Sequence, residues 1–343
     1  MATVTNGRHL FNEIPEGFPT PGKTTIYDES QTISLEDVPL NGGFLIKVLA
    51  LSIDPYMRHK MRATNTKSFT PAFELGKPLY NHGVGVVLRS ELDGIKAGDH
   101  VYGLLSFEQY ILQPNADGIE IIKNDENISW SSYVGAAGMP GQTAFVAWKE
   151  FSKAKKGETV FVSTAAGAVG SVVVQIAKSQ GLKVIASAGS EEKIKFLKEI
   201  GADVAFNYKT TDTAEVLAKE GPIDIYWDNV GGKTLEDVID AANDYIRIIA
   251  CGAISSYNTT DNYGIKNWGL FFVKRVSING FVVFDLLPKY REEFFNTIPK
   301  MIAQGEIKFL EDRKVGLDKV GEAIYEVQSG TNHGKSVIIV ADS

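Results

Sequence analysis

Hydrophobic and polar positions fall into two textures along the chain. Up to about residue 125, short apolar runs such as FLIKVLALSI, GVGVVL and DHVYGLL are broken by Gly, Pro, Asn and Asp, the pattern of strands separated by turns. From Trp130 onward VFVST reads as a buried strand, GSVVVQIAKSQG as a helix, KVIASA as a strand and SEEKIKFLKEIG as a helix. Such alternation predicts a parallel sheet with crossovers. It continues through DVAFNY, PIDIYWDNV, RIIACG and VSINGFVV, giving six strands and a doubly wound α/β domain. After Gly305 come KFLEDRKV, a helix around VGEAIYEVQSG and a last strand, KSVIIV, which is expected to rejoin the first sheet. The expected division is a mostly β domain over 1–128, completed by 308–343, and a doubly wound domain over 129–307.

The turn after the first α/β strand reads STAAGAVGS over residues 163–171. A glycine-rich turn at this place lets backbone N–H groups at a helix start approach the pyrophosphate of a dinucleotide. The three glycine slots fall on Ala165, Gly167 and Gly170, with Ala168 and Val169 between them. The pattern alone fits any tight strand-to-helix turn, and its place inside a strand–helix–strand unit is what gives it meaning. About 20 residues on, an NAD site carries an acid for the ribose hydroxyls. Here stand Gly189 and Ser190, with no carboxylate to repel a 2′-phosphate. Lys193 on the next helix, and Tyr208 with Lys209 after the third strand, suit a dianionic phosphate. The expected cofactor is therefore NADPH; the competing reading leaves Lys193 on an ordinary solvated face.

Asn229 and Gly231 follow the fourth strand at the crevice where open α/β sheets bind ligands, and Phe281 to Val283 follow the sixth. Composition narrows the alternatives. At 343 residues and 44% hydrophobic the chain supports two domains with cores. A net charge of −7 with scattered Lys and Arg disfavours nucleic acid. The first 20 residues lack a signal-peptide pattern, and no window holds the roughly 18 apolar residues of a membrane span, so a cytoplasmic protein is expected. A single cysteine, Cys251, rules out an intrachain disulfide and a thiolate-rich zinc site. The five histidines form no His-x-x-x-His pair, and no metal is expected. Near the crevice, Cys251 is either a nucleophile or, with no His beside it, a small buried residue.

Six stretches in order carry a family resemblance: LSIDPYMR at 51–58, GMPGQTAF at 138–145, AAGAVGS at 165–171, DNVGG at 228–232, CGAISSYN at 251–258 and NHGK at 332–335. From about Phe11 to Val340 the chain resembles the zinc-independent medium-chain dehydrogenases/reductases. Within them it is similar to the NADP-dependent alkenal double-bond reductases, the group of prostaglandin reductase and leukotriene B4 12-hydroxydehydrogenase. The resemblance implies a GroES-like β domain, a Rossmann domain, a homodimer, and a cleft between domains for nicotinamide and substrate. It implies reduction of the carbon–carbon double bond of α,β-unsaturated aldehydes and ketones. Tyr257 would donate a hydrogen bond to the carbonyl oxygen, while Tyr56 and Phe281 would line the substrate pocket. Met139, Thr143, Cys251, Gly252, Ile254, Ser255, Val283, Asn332 and Gly334 would join the turn and ribose residues around the cofactor.

Departures from the family pattern are Phe107 where a Trp is common, Phe145 where a Tyr is frequent, and Asp244–Tyr245 in a turn that commonly holds glycines. Tyr56, Tyr263, Trp268 and Phe272 together suggest an aromatic-lined pocket. Two other readings keep the same fold: oxidation of a secondary allylic alcohol with NADP, and a non-catalytic, crystallin-like NADPH-binding protein.

Overall fold

The run FLIKVLALS forms the strand Phe44–Ser52, buried at every position except Lys47, because neighbours cover both its edges and its faces. It pairs antiparallel with Tyr80–Ser90 on one edge, and with Tyr110–Gln113 and then Lys335–Ile339 along the other. The C-terminal strand thus completes the first sheet, as the sequence leads one to expect, bringing Glu311–Val315 in as a parallel neighbour. The computed structural model describes residues 3–342. By their contacts these divide into two compact units, one reaching Gly135 and resuming at Glu311, the other spanning Ala136–Leu310.

The second unit is a six-stranded parallel sheet in the order Val204–Asn207, Lys183–Ala188, Thr159–Val162, Ile223–Asp228, Ala242–Ala250, Ser277–Gly280. Numbered along the chain, that is the order 3-2-1-4-5-6 of a Rossmann fold. Central strands are covered on both faces and read as unbroken apolar runs; accordingly Val160, Phe161 and Val162 are fully buried. The Phe161 ring stacks with Tyr226 at 5.3 Å and with Phe206 at 6.1 Å.

Two sequence expectations shift. VSINGFVV reads as one strand, but the strand stops at Gly280 and Val283 opens the long helix Val283–Ala303. A β-branched run of this length fits either state by periodicity. Asp244 and Tyr245 do not form a turn: they lie within the strand Ala242–Ala250, at a register shift, with Tyr245 at φ +64 and its N–H donating to the Lys274 carbonyl at 2.7 Å. No helix among the described residues is long and apolar enough to cross a membrane.

Candidate active site

The chain leaves the strand Thr159–Val162, passes Thr164 at φ +46 and enters the helix Gly170–Ser179. The Ala165 N–H donates to the Ser187 carbonyl at 2.8 Å, which ties the turn to the neighbouring strand. A Cβ on Gly170 would stand 2.7 Å from the Ala165 Cα, so only glycine lets the helix start pack this closely. A Cβ on Gly167 would meet nothing but the Thr164 carbonyl oxygen, at 3.3 Å. The space over the turn is therefore open, and a side chain there would fill the place a pyrophosphate needs.

At the ribose end, Gly189 follows the strand Lys183–Ala188, and the Ser190 Oγ caps the helix Glu191–Glu199 by accepting the Lys193 N–H at 3.4 Å. A Cβ on Gly189 would lie 3.0 Å from the Tyr208 Oη and 3.1 Å from the Lys209 Cε. Absence of a side chain thus lets a hydroxyl and a lysine stem close on the end of the strand. The nearest carboxylate in sequence, Glu191, is engaged by the Asn207 Nδ2 at 2.9 Å. These residues fit a dinucleotide with a 2′-phosphate: a turn of small residues, open over Gly167, at one end, and hydroxyls with cations in place of an acid at the other.

The carboxyl ends of the fourth and fifth strands are held together by Asp228, which is buried and accepts from the Val230 N–H at 2.9 Å, the Gly231 N–H at 2.7 Å and the Tyr226 hydroxyl at 2.8 Å. Asn229 spans to the first strand, its Nδ2 donating to the Ser163 carbonyl at 2.7 Å. The loop after the fifth strand docks on this corner. Cys251 and Gly252 give their N–H groups to the Asp228 carbonyl at 2.9 and 3.0 Å, Ile254 donates to the Asn229 carbonyl at 3.1 Å, and the Ser255 hydroxyl to the Val230 carbonyl at 2.6 Å. The loop delivers Tyr257, whose hydroxyl accepts the Ala253 N–H at 3.3 Å and would lie 3.0 Å from a Cβ on Gly252. Burial raises the Tyr257 phenol above its ordinary value, so it is protonated at neutral pH and can donate.

Burial also pushes the thiol of the half-buried Cys251 up to about 12, which disfavours a thiolate nucleophile. Thr143 and Met139 lie one turn apart in the helix Met139–Phe151, joined by the Thr143 hydroxyl donating to the Met139 carbonyl at 2.8 Å. Phe281 packs its ring 6.2 Å from Trp227, beside the start of the helix that Val283 opens.

Tyr56, Asn332 and Gly334 belong to the other unit. Tyr56 stands at the start of the short helix Met57–Lys60, and the Asn332 Nδ2 donates to the Gly334 carbonyl at 2.7 Å. Phe107 is fully buried in that unit's core. Trp268 and Phe272 are 63% and 77% exposed, and the Tyr263 hydroxyl donates to Glu236 at 2.8 Å. No group of three or more His, Cys, Asp or Glu side chains among the described residues could hold a metal ion.

Residues 8–122 match the family model described as the N-terminal domain of oxidoreductase, and residues 168–303 the one described as zinc-binding dehydrogenase. A zinc-type alcohol dehydrogenase-like protein of Schizosaccharomyces pombe is 40% identical over 95% of both chains. The NADP(+)-dependent 2-alkenal reductase of Nicotiana tabacum is 39% identical over 98% of both. The chain belongs to the zinc-independent medium-chain dehydrogenases/reductases. Among solved structures of this family, CurA of Vibrio vulnificus in complex with NADPH superposes with a TM-score of 0.89 at 31% identity, covering 98% of this chain and 100% of that one.

The sequence reading missed Asp228 as the organiser of the crevice, and it missed Asn81 beside Tyr56 and Lys335 on Asp54. The D of DNVGG was a usable signal for the first, since a carboxylate directly before a glycine turn can collect its N–H groups.

Proposed function

We propose that the protein reduces the carbon–carbon double bond of α,β-unsaturated aldehydes and ketones with NADPH. The observation that carries this is Tyr257, a protonated phenol fixed by the Ala253 N–H at the carboxyl ends of the strands, where the glycine-containing turn after Val162 also lies. Bound NADPH supplies hydride from C4 of its nicotinamide to the substrate's β-carbon. Tyr257 donates to the carbonyl oxygen, where negative charge gathers as that transfer proceeds, and so lowers the barrier; a proton from solvent on the α-carbon of the resulting enolate completes the reduction. Ala165, Gly167, Ala168 and Val169 hold the pyrophosphate; Gly189, Ser190, Lys193 and Tyr208 hold the 2′-phosphate; Met139, Thr143, Asn229, Cys251, Gly252, Ile254, Ser255, Val283, Asn332 and Gly334 hold the rest. We assign Tyr56 and Phe281 to substrate binding. The names of the relatives, a 2-alkenal reductase and an NADPH complex, support this reading.

Consumption of NADPH on adding a simple 2-alkenal tests the reaction, and no consumption across an enone panel would overturn it. For the cofactor, Lys193→Ala is expected to lower catalytic efficiency with NADPH about 10- to 100-fold, the worth of a hydrogen bond to a charged group. Efficiency with NADH should stay within about 2-fold. A wild-type enzyme that uses NADH as well as NADPH would remove the assignment.

The reading extends to a cytoplasmic homodimer. The homodimer is supported by the edge strand Ser277–Gly280, which has no partner strand on one side among the described residues, and by the exposed Ile278, Trp268, Phe272 and Val273. A monomeric mass in sedimentation at micromolar concentration would exclude the dimer.

A further inference from the structure

Beneath Tyr56 runs a buried polar network whose direction the geometry fixes. The Asn81 side chain is fully buried, and its Nδ2 lies 2.9 Å from the Ser52 carbonyl oxygen and 2.9 Å from an Asp54 carboxylate oxygen. A backbone carbonyl only accepts, so the nitrogen must face it and the Asn81 Oδ1 must face the other way. That oxygen meets the Tyr56 hydroxyl. Since an amide oxygen cannot donate, the Tyr56 O–H gives its proton to Asn81.

The rest of the network holds this arrangement. Asp54 takes a further hydrogen bond from the Ser52 hydroxyl and an ion pair from Lys335 at 3.3 Å. Lys335 in turn donates to the carbonyls of Ile53 at 2.6 Å and Ser336 at 2.7 Å. On the far side of the phenol, the His82 Nδ1 lies 3.4 Å from the Tyr56 oxygen. Burial lowers His82 to about 4, so its ring is neutral at working pH, and with the Tyr56 proton already committed its Nδ1–H tautomer is the one that fits.

We infer that Asn81, anchored through Asp54 to Lys335, is a positioning residue that turns Tyr56 into a hydrogen-bond acceptor toward the bound substrate. Tyr56 then has a lone pair and no proton to offer. It recognises a donor on the ligand. The inference rests on the placement of Tyr56 in the substrate pocket proposed above.

The test is a calorimetric titration of the NADP⁺-loaded protein with a secondary alcohol and the ketone of the same chain, 2-octanol and 2-octanone. Tyr56→Phe is expected to weaken the alcohol about 5- to 10-fold, the worth of one neutral hydrogen bond, and the ketone by less than about 2-fold. Asn81→Leu releases the phenol proton and is expected to shift the preference toward the ketone, which loss of packing alone would not do. Should Asn81→Leu not fold, Tyr56→Phe decides by itself. Equal weakening of both ligands, greater weakening of the ketone, or no change in either overturns the inference. The titration needs no turnover. A protein that shows the expected pattern but leaves enones intact would refute the reductase reading and keep this one.

Discussion

Converting Tyr257 to phenylalanine is expected to lower kcat for enone reduction about 100-fold, with a much smaller change in KM for NADPH. The ring is retained, so the loop that docks on Asp228 through the backbone of Cys251 and Gly252, and on Asn229 through that of Ile254, keeps its seat. What disappears is one donor at the place where the carbonyl oxygen gathers charge. Loss of a single such donor in a preorganised site costs about 2.7–4 kcal/mol of transition-state stabilisation, a factor of roughly 10² to 10³. The Ala253 N–H that holds the phenol oxygen is what makes the site preorganised: it fixes that oxygen before substrate arrives. Steady-state kinetics on one alkenal suffices, and unchanged turnover would mean that Tyr257 only packs the loop.

The second large effect concerns stability. Lys335→Met is expected to destabilise the first unit by about 3–5 kcal/mol, read as a lower urea midpoint for the holoprotein. Lys335 and Asp54 are 2% and 5% exposed, so the pair is desolvated on both sides. Methionine matches the alkyl stem but strands the Asp54 carboxylate without its counter-ion and leaves the Ile53 and Ser336 carbonyls without their donor. Burial pulls the Lys335 ammonium below its ordinary value while Asp54 opposes that pull, which is the balance expected of a pair sustained by its partner. A loss under about 1 kcal/mol, the worth of an exposed pair, would show that the two charges are not coupled in this way.

These two predictions draw on features of different legibility. The Rossmann order could be read because each strand and crossover announces itself within its own dozen residues, and AAGAVGS carries its meaning locally. Tyr257 was reachable through the CGAISSYN stretch. The network under Tyr56 was not, since Lys335 reaches Ile53 across 282 positions and Asn81 reaches Asp54 across 27, distances at which no periodic pattern survives. The burial of aromatic residues was illegible for a related reason. Phe107 and Phe272 are the same residue type, yet one is sealed in a core and the other lies 77% exposed near an edge strand, and only the paired neighbours decide which. The boundary after Gly280 failed because a β-branched run carries no signal separating a strand from the start of a helix.

The most direct test of the whole account is transfer from NADPH deuterated at C4, followed by mass and NMR analysis of the product formed from an α,β-unsaturated ketone. Deuterium on the carbon β to an intact carbonyl is the predicted result. Deuterium on a carbinol carbon, with the double bond preserved, would contradict it.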